Sequence, residues 1–155
     1  MRIGIGYDAH RLASDRLLIL GGCTVPFEKG LLGHSDADVL THAIIDALLG
    51  AAAMGDIGQH FPDTDDGNKN ASSLHMLKVV GDKIKAAGHT VGNIDSVIVA
   101  QRPKLTNFTK QMSQNIAQVL EVSPEVVNVK AKTEEGMGFT GTGEGMAAHA
   151  VALII

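Results

Sequence analysis

Tryptophan is absent from this chain of 155 residues, and cysteine and aromatic residues are scarce. Cys23 is the single cysteine, which excludes an internal disulfide and a zinc site built from cysteines. Four phenylalanines and one tyrosine leave few rings on which nucleic-acid bases can stack. Acidic residues also outnumber basic residues by 17 to 13, the reverse of the balance expected for a nucleic-acid-binding protein. We therefore expect no nucleic-acid partner.

Long apolar runs are also missing. The most apolar stretch, residues 43–54, is interrupted by Asp46 and is shorter than the roughly 20 residues that a membrane span requires. The chain opens on a strand-like segment rather than on a charged region followed by an apolar one, so no secretory signal is predicted. We expect a cytoplasmic protein that makes no membrane contact.

Glycine and histidine are plentiful instead, with 18 and seven copies. A hydrophobic share of 45% against 19% charged residues is enough for a packed core and excludes a disordered chain. The length fits one compact domain over residues 1–155. Strand and helix patterns interleave along the chain, which predicts an α/β or α+β fold.

A half-buried strand is predicted over residues 2–10, because polarity alternates along it. One face carries Ile3, Ile5 and Tyr7, and the other carries Gly4, Gly6, Asp8 and His10.

Periodicity predicts three helices and further strands. The first helix begins after a cap at Ser35, with Asp38 three residues on, and continues to Ala51. The second covers about residues 71–87, and the third opens at Pro103, because proline suits the first helical turn. Residues 56–68 are a polar segment of a length typical of functional or mobile loops. The other predicted strands cover residues 17–20, 25–27, 95–100, 127–132 and 145–155.

Three side chains form a candidate metal site. Asp8 and His10 lie two residues apart near the end of a strand, so they project from the same face. His42 lies on the first helix, with Asp38 and Asp46 one turn away on either side. Taken alone, Asp8 and His10 also fit an exposed pair at the end of a strand, and His42 with its flanking aspartates also fits a solvated helix face. If the helix packs on the strand, one carboxylate and two imidazoles match a catalytic zinc site with an open fourth position, and a neighbouring carboxylate can partner the other imidazole nitrogen.

Glycine-rich segments and nearby polar residues suggest phosphate binding. The strand pattern continues past Gly4 and Gly6, which excludes a dinucleotide-binding turn there. Residues 136–145 lack the Gly-Lys-Ser/Thr of a P-loop, but their backbone N–H groups can bind a phosphate. Glu135 beside them is either a magnesium ligand or a surface charge. His34 precedes the first helix, where a phosphate can meet the helix dipole and the imidazole.

Several segments together carry a family resemblance that runs from one end of the chain to the other. They are residues 4–10 (GIGYDAH), 33–38 (GHSDAD), 42–51 (HAIIDALLGA), 55–58 (GDIG), 61–65 (FPDTD), 101–104 (QRPK), 128–131 (NVKA) and 138–141 (GFTG). In order and spacing they resemble the 2-C-methyl-D-erythritol 2,4-cyclodiphosphate synthase family of the non-mevalonate isoprenoid pathway.

This resemblance implies the fold, the assembly and the reaction. The fold is an α+β single compact domain, with a mixed β-sheet and helices packed on one face, assembling as a homotrimer with active sites between subunits. The enzyme is a phosphorus–oxygen lyase that cyclises 4-diphosphocytidyl-2-C-methyl-D-erythritol 2-phosphate to 2-C-methyl-D-erythritol 2,4-cyclodiphosphate and releases CMP.

The resemblance also implies the roles of individual residues. Asp8, His10 and His42 bind one zinc ion per subunit, and Glu135 binds a magnesium or manganese ion that accompanies the substrate. His34 and Thr133 assist the transition state. The substrate-binding set is Asp8, Ala9, His10, His34, Ser35, Asp56, Ile57, Gly58, Phe61, Pro62, Asp63, Thr64 and Asp65, with Ala100, Gln101, Arg102, Pro103, Lys104, Leu105, Thr106, Ala131, Lys132, Thr133, Glu134, Glu135 and Phe139. In this set residues 100–106 and 131–133 form the cytidine pocket.

Some positions depart from the family pattern. Many members carry arginine where Thr142 stands, and that arginine helps to hold isoprenoid diphosphates in an apolar channel along the trimer axis. His149 replaces a common glutamate that points into this channel. Lys132 and Glu134 replace threonines, which affects the cytidine pocket and none of the metal ligands. The alternative functions are a zinc-dependent phosphodiesterase or other phosphate hydrolase, and a non-catalytic trimeric protein that binds isoprenoid diphosphates.

Overall fold

The structure is a computed structural model that describes residues 1–62 and 71–155. Its strands are β1 (Arg2–Ala13), β2 (Leu18–Leu20), β3 (Cys23–Val25), β4 (Gly30–Leu32), β5 (Val91–Val99), β6 (Val127–Lys132) and β7 (Gly145–Ile154). Its helices are α1 (Val39–Ala52), α2 (Ile57–His60), α3 (Ser73–Ala86), α4 (Thr109–Leu120) and α5 (Gly138–Gly141).

The described residues form a mixed five-stranded sheet in the order β4-β1-β7-β5-β6 and a separate β2-β3 pair. β1 runs antiparallel to β4 and β7, β7 runs antiparallel to β5, and β5 runs parallel to β6. α1 packs on β1 and β7, α3 packs on α1, and α4 packs on α3 and β6. The predicted α+β fold with a mixed sheet is confirmed. Over residues 1–62 and 71–155, no helix is both long and apolar enough to cross a membrane.

The close packing of α1 on β1 determines the position of the candidate site. Gly4 and Gly6 of β1 are buried beneath α1. A Cβ atom at Gly6 would lie 1.8 Å from the carbonyl oxygen of Ala43, and one at Gly4 would lie 1.9 Å from that of Ala47. Helix backbone cannot move aside as a flexible side chain can, so this approach requires glycine at both positions of the strand.

β1 buries its glycine face and exposes its apolar face. Ile3 and Ile5 are each 72% exposed, and Tyr7 is 50% exposed. The strand register places Val151 of β7 beside Ile5, and His149 beside Tyr7 with their ring centroids 4.8 Å apart. We call the exposed Ile3, Ile5, Tyr7 and Val151 the apolar sheet face. It lies on the side of the sheet opposite the helices.

The predicted start of α1 is wrong. Asp38 caps the helix rather than Ser35, and its buried carboxylate accepts the Thr41 N–H at 3.0 Å. The backbone N–H groups of Gly21 and Gly22 also donate to this carboxylate, at 2.9 and 2.8 Å. The helix N-terminus that was suggested as a phosphate site beside His34 therefore holds the Asp38 carboxylate.

Other element boundaries differ from the predicted ones. α4 begins at Thr109 rather than at Pro103, because the carbonyl of buried Leu105 accepts the N–H groups of Phe108 and Thr109 and closes the first turn there. β3 ends at Val25, so the return strand lies two residues earlier than predicted. The polar loop predicted over residues 56–68 contains α2, and its residues 63–70 lie outside the described part of the chain.

Gly6→Ala tests the close packing of α1 on β1. We expect the free energy of unfolding to fall by about 3 kcal/mol, because the added methyl group meets helix backbone. Gly50→Ala on the exposed side of α1 is the control, since its Cβ would meet nothing closer than 3.8 Å. Alanine is the better helix former by about 1 kcal/mol, so this variant should be slightly stabilised. Equal stability of the two variants in urea unfolding would contradict the packing described.

Candidate functional site

Asp8, His10 and His42 form a compact cluster of metal-ligating atoms. Asp8 Oδ2 lies 2.9 Å from Nδ1 of His42 and 3.0 Å from Nε2 of His10, and the two nitrogens are 3.2 Å apart. Ligands about 2.1 Å from a tetrahedral zinc ion lie about 3.4 Å from one another. The three atoms therefore need to separate by only a few tenths of an ångström to hold such an ion, and the donor set of one carboxylate and two imidazoles suits zinc.

The cluster forms because β1 and α1 approach so closely. Asp8 and His10 follow the glycine face of β1, and His42 precedes Ala43, the residue whose carbonyl lies over Gly6. Gly33, in the turn before α1, makes room for His10. A Cβ atom there would lie 3.1 Å from Cε1 of His10.

The charges in this cluster stabilise one another. Burial raises the pKa of the Asp8 carboxyl, but the hydrogen bonds from His10 and His42 outweigh burial and hold that pKa well below its usual range. Burial lowers the pKa of His42, but its hydrogen bond to Asp8 and the nearby acidic charges raise it above the ordinary value overall. The cluster thus consists of an anionic carboxylate that faces two imidazoles. A divalent cation can bind between these groups and replace the imidazole proton that lies on Nδ1 of His42.

The second nitrogen of His42 has different partners from those predicted. Its Nε2 lies 2.8 Å from Oγ of Ser73 and 3.2 Å from Oγ of Ser35. Asp38 is used as the cap of α1, and Asp46 accepts the Ile57 N–H at 2.7 Å. The expectation that either flanking aspartate partners His42 is therefore wrong.

A pocket of about 280 Å³ opens at the cluster. It is lined by Asp8, His10, Gly33, His34, Ser35, His42, Ile57, Gly58, Phe61 and Met76. The structure therefore brings His34, Ser35, Ile57, Gly58 and Phe61, which the family resemblance assigns to substrate binding, to the candidate metal ligands. Asp46 holds one wall in place through its hydrogen bond to Ile57.

Other members of the predicted substrate-binding set do not line this pocket. Asp56 is exposed and caps α2, where it accepts the Gln59 N–H at 3.0 Å. Pro62 is not among the lining residues of this pocket, and Asp63, Thr64 and Asp65 lie outside the described residues. Ala9 and Phe139 line a small pocket with Glu144, and this pocket shares His10 with the cluster pocket.

His34 offers an unused polar atom in the cluster pocket. Its Nε2 is buried and has no hydrogen-bond partner among the described residues. Buried ring nitrogens are normally paired, so this atom is available to a ligand in the pocket.

A second pocket, of about 760 Å³, lies beside the ends of β5 and β6. Its lining includes every residue predicted for the cytidine pocket, over residues 100–106 and 131–133. The lining is completed by Pro26, Phe27 and Glu28, which the sequence analysis did not assign to any site. Within the described parts of the chain, no residue lines both this pocket and the one at the metal cluster.

The segment after β6 carries the predicted ligand of the second ion. Oγ1 of Thr133 donates to Oε1 of Glu135 at 2.6 Å, and Thr140 donates to the Glu134 carboxylate. The Gly136 N–H donates to Gln101 Oε1 at 3.3 Å, which ties this segment to the larger pocket. Glu134 and Glu135 are exposed and line neither pocket. One chain alone therefore does not place Glu135 in the cluster pocket.

Comparisons with known proteins agree over the whole chain. A sequence profile of the YgbB family matches residues 1–155. The 2-C-methyl-D-erythritol 2,4-cyclodiphosphate synthase of Trichlorobacter lovleyi is 61% identical over 155 residues, which are 100% of this chain and 99% of that protein.

Solved structures share the fold. The bifunctional IspDF of Campylobacter jejuni aligns with a TM-score of 0.95 and 44% identity, over 99% of this chain and 42% of that longer chain. A CDP-bound 2C-methyl-D-erythritol-2,4-cyclodiphosphate synthase aligns with a TM-score of 0.91 and 34% identity, over 99% of this chain and 100% of that chain.

His42→Ala tests the metal cluster. We expect the unaltered chain to purify with one zinc ion per chain and the variant to lack it, because only two of the three candidate ligands remain. His75→Ala is the control, since His75 is exposed on α3 and does not line the cluster pocket. The zinc content of the variant, the control and the unaltered chain is measured by atomic emission, and circular dichroism verifies that each is folded. A full zinc complement in His42→Ala would show that the ligands are other residues.

Proposed function

Because the chain belongs to the YgbB family, we infer that it is an enzyme of isoprenoid precursor biosynthesis that forms a cyclic diphosphate. It converts 4-diphosphocytidyl-2-C-methyl-D-erythritol 2-phosphate to 2-C-methyl-D-erythritol 2,4-cyclodiphosphate and CMP, as a phosphorus–oxygen lyase. The observation that carries this inference is the match of the whole chain to the family, joined to the Asp8, His10 and His42 cluster in its pocket.

The reaction makes particular demands on the site. The attacking group is a phosphate that is already anionic, so no base is needed to activate it. The obstacle is the repulsion between this anionic phosphate and the negatively charged oxygens bonded to the phosphorus atom that it attacks. Divalent ions, zinc at Asp8, His10 and His42 and magnesium or manganese at Glu135, would neutralise that charge and stabilise the departing CMP.

The chain's own residues hold the two ends of the substrate. We propose that Ser35, Ile57, Gly58 and Phe61, with Asp8, Ala9, His10, Asp56 and Pro62 to Asp65, bind the methylerythritol phosphate. The free Nε2 of His34 supports its donation of a hydrogen bond to a phosphate oxygen there. Fixing both ends of a flexible substrate brings the reacting phosphates together and removes much of the entropic cost of cyclisation.

We propose that the larger pocket holds the cytidine. Its size suits a nucleoside, and Arg102, Lys104 and Lys132 on its lining bring positive charge toward the attached phosphates. A CDP-bound relative of the same fold supports this assignment. Thr133 would assist the transition state beside Glu134, Glu135 and Phe139.

We propose further that the enzyme is a homotrimer with each site between two subunits. Exposed apolar side chains as large as Ile3, Ile5 and Val151 are typical of a surface that another subunit covers. The separation of the two pockets supports the same idea, because the reacting phosphates must be reached from both. An axial channel that binds an isoprenoid diphosphate stays a prediction, with Thr142 and His149 in place of the residues common in the family.

Phosphorus NMR tests the reaction. Incubation of the protein with magnesium and the substrate should give CMP and a cyclic diphosphate in equal amounts. Omission of the protein is the control for spontaneous reaction. A linear phosphate product would instead indicate the phosphodiesterase, and an unchanged spectrum would indicate a protein that only binds its ligand.

Complementation between two inactive variants tests the shared site. His42→Ala removes a metal ligand, and Ala131→Phe fills part of the larger pocket from an exposed position. Each variant alone should be inactive with a mass close to three chains. Their co-expression should restore about a quarter of the activity of the unaltered enzyme. In randomly mixed trimers, half of the clusters and half of the pockets are intact, so about a quarter of the sites combine an intact cluster with an intact pocket from the neighbouring chain. An inactive mixture of intact trimers would place the cluster and the pocket of one site in the same chain.

A further inference from the structure

A chain of hydrogen bonds continues from His42 away from the metal ligands. Ser73, the first residue of α3, is fully buried, and its Oγ lies 2.8 Å from Nε2 of His42. The same hydroxyl donates to Asp36 Oδ1, and the Ser73 backbone N–H donates to Asp36 Oδ2 at 3.0 Å. The Asp36 N–H in turn donates to the Ala71 carbonyl at 3.2 Å. The turn before α1 and the start of α3 are thus joined at the ring of His42.

This geometry gives the hydrogen bonds a direction. An ionised carboxylate only accepts hydrogen bonds, and a serine hydroxyl has one proton to give. The proton of Ser73 goes to Asp36, so the Ser73 oxygen accepts a hydrogen bond from Nε2–H of His42. Without a metal ion, Nδ1–H of His42 donates to Asp8. When a metal ion replaces that proton, the proton held on Nε2 leaves the lone pair on Nδ1, the atom that faces Asp8 and His10.

We propose that Ser73 and Asp36 are positioning residues for the metal ligand His42. They hold the orientation of its ring and keep the proton on Nε2, so that Nδ1 binds the metal ion. This inference rests on the metal site of the proposed function. Polar groups of this kind behind a metal-bound histidine typically change metal affinity about 10- to 100-fold when removed. Ser35 is a weaker partner, since its oxygen lies 3.2 Å from Nε2 and also accepts the Ala37 N–H.

A purely structural role for the Asp36–Ser73 pair makes a different prediction. In that case Asp36 serves only to cap α3, in place of Ser72, whose side chain caps nothing in the described part of the chain. Ser73→Ala keeps the backbone N–H that donates to Asp36, so the cap remains. It removes only the hydroxyl between Asp36 and His42, and metal affinity then separates the two roles.

The test is the zinc affinity of the full-length protein, measured by competition with a chelator. Ser73→Ala should bind zinc about 10- to 100-fold more weakly than the unaltered chain. Ser72→Ala is the matched control, because it removes the neighbouring exposed hydroxyl and should leave the affinity unchanged. If Ser73→Ala binds zinc as tightly as the unaltered chain, the positioning role is overturned but the metal site is not. Failure of the unaltered chain to bind zinc would overturn the metal site itself.

A measurement on the unaltered chain covers the case in which Ser73→Ala does not fold. Long-range proton–nitrogen NMR of the zinc-loaded protein reports which imidazole nitrogen carries the proton. The expected spectrum shows His42 protonated at Nε2 and bound to zinc through Nδ1. Zinc bound through Nε2 of His42 would contradict the proposal.

Discussion

The contact between the glycines of β1 and the backbone of α1 is the constraint on which the site depends. With hydrogen atoms as the only side chains at Gly4 and Gly6, the helix lies directly on the strand. This distance brings an imidazole of the helix within 2.9 Å of a carboxylate of the strand. A larger residue at either position would push the helix away and separate the ligands. Part of the glycine content of the chain is therefore needed to form the metal cluster.

The same arrangement leaves the other side of the sheet apolar and exposed. Because glycines occupy the helix side of β1, the large side chains of this strand lie on the outer side. The apolar sheet face suits contact with further subunits, and in the proposed trimer the two pockets would face one another across a boundary between chains. The strand that supplies two of the three candidate metal ligands also supplies the proposed subunit contact.

Local periodicity limited the fold to α/β or α+β and predicted the bounds of β6. The family resemblance, carried by contiguous motifs, implied the α+β fold and most of the residues that line the two pockets, but not Met76, Pro26, Phe27 or Glu28. Neither predicted the Asp36–Ser73 pair, since residues 37 positions apart meet only when α3 folds against the turn before α1. The choice of Asp38 over Ser35 as a cap has a similar cause. It depends on N–H groups donated by Gly21 and Gly22 from another part of the chain. Periodicity also shows that the two faces of β1 differ, but not which face a helix covers.

A crystal structure of the zinc-loaded protein with CDP, with anomalous scattering recorded at the zinc edge, tests the central claim most directly. One anomalous peak per chain should lie about 2.1 Å from Asp8 Oδ2, His10 Nε2 and His42 Nδ1. The cytosine should occupy the pocket of residues 100–106 in the neighbouring subunit. A zinc peak bound by other residues, or a nucleotide and a zinc ion held together by one chain alone, would contradict it.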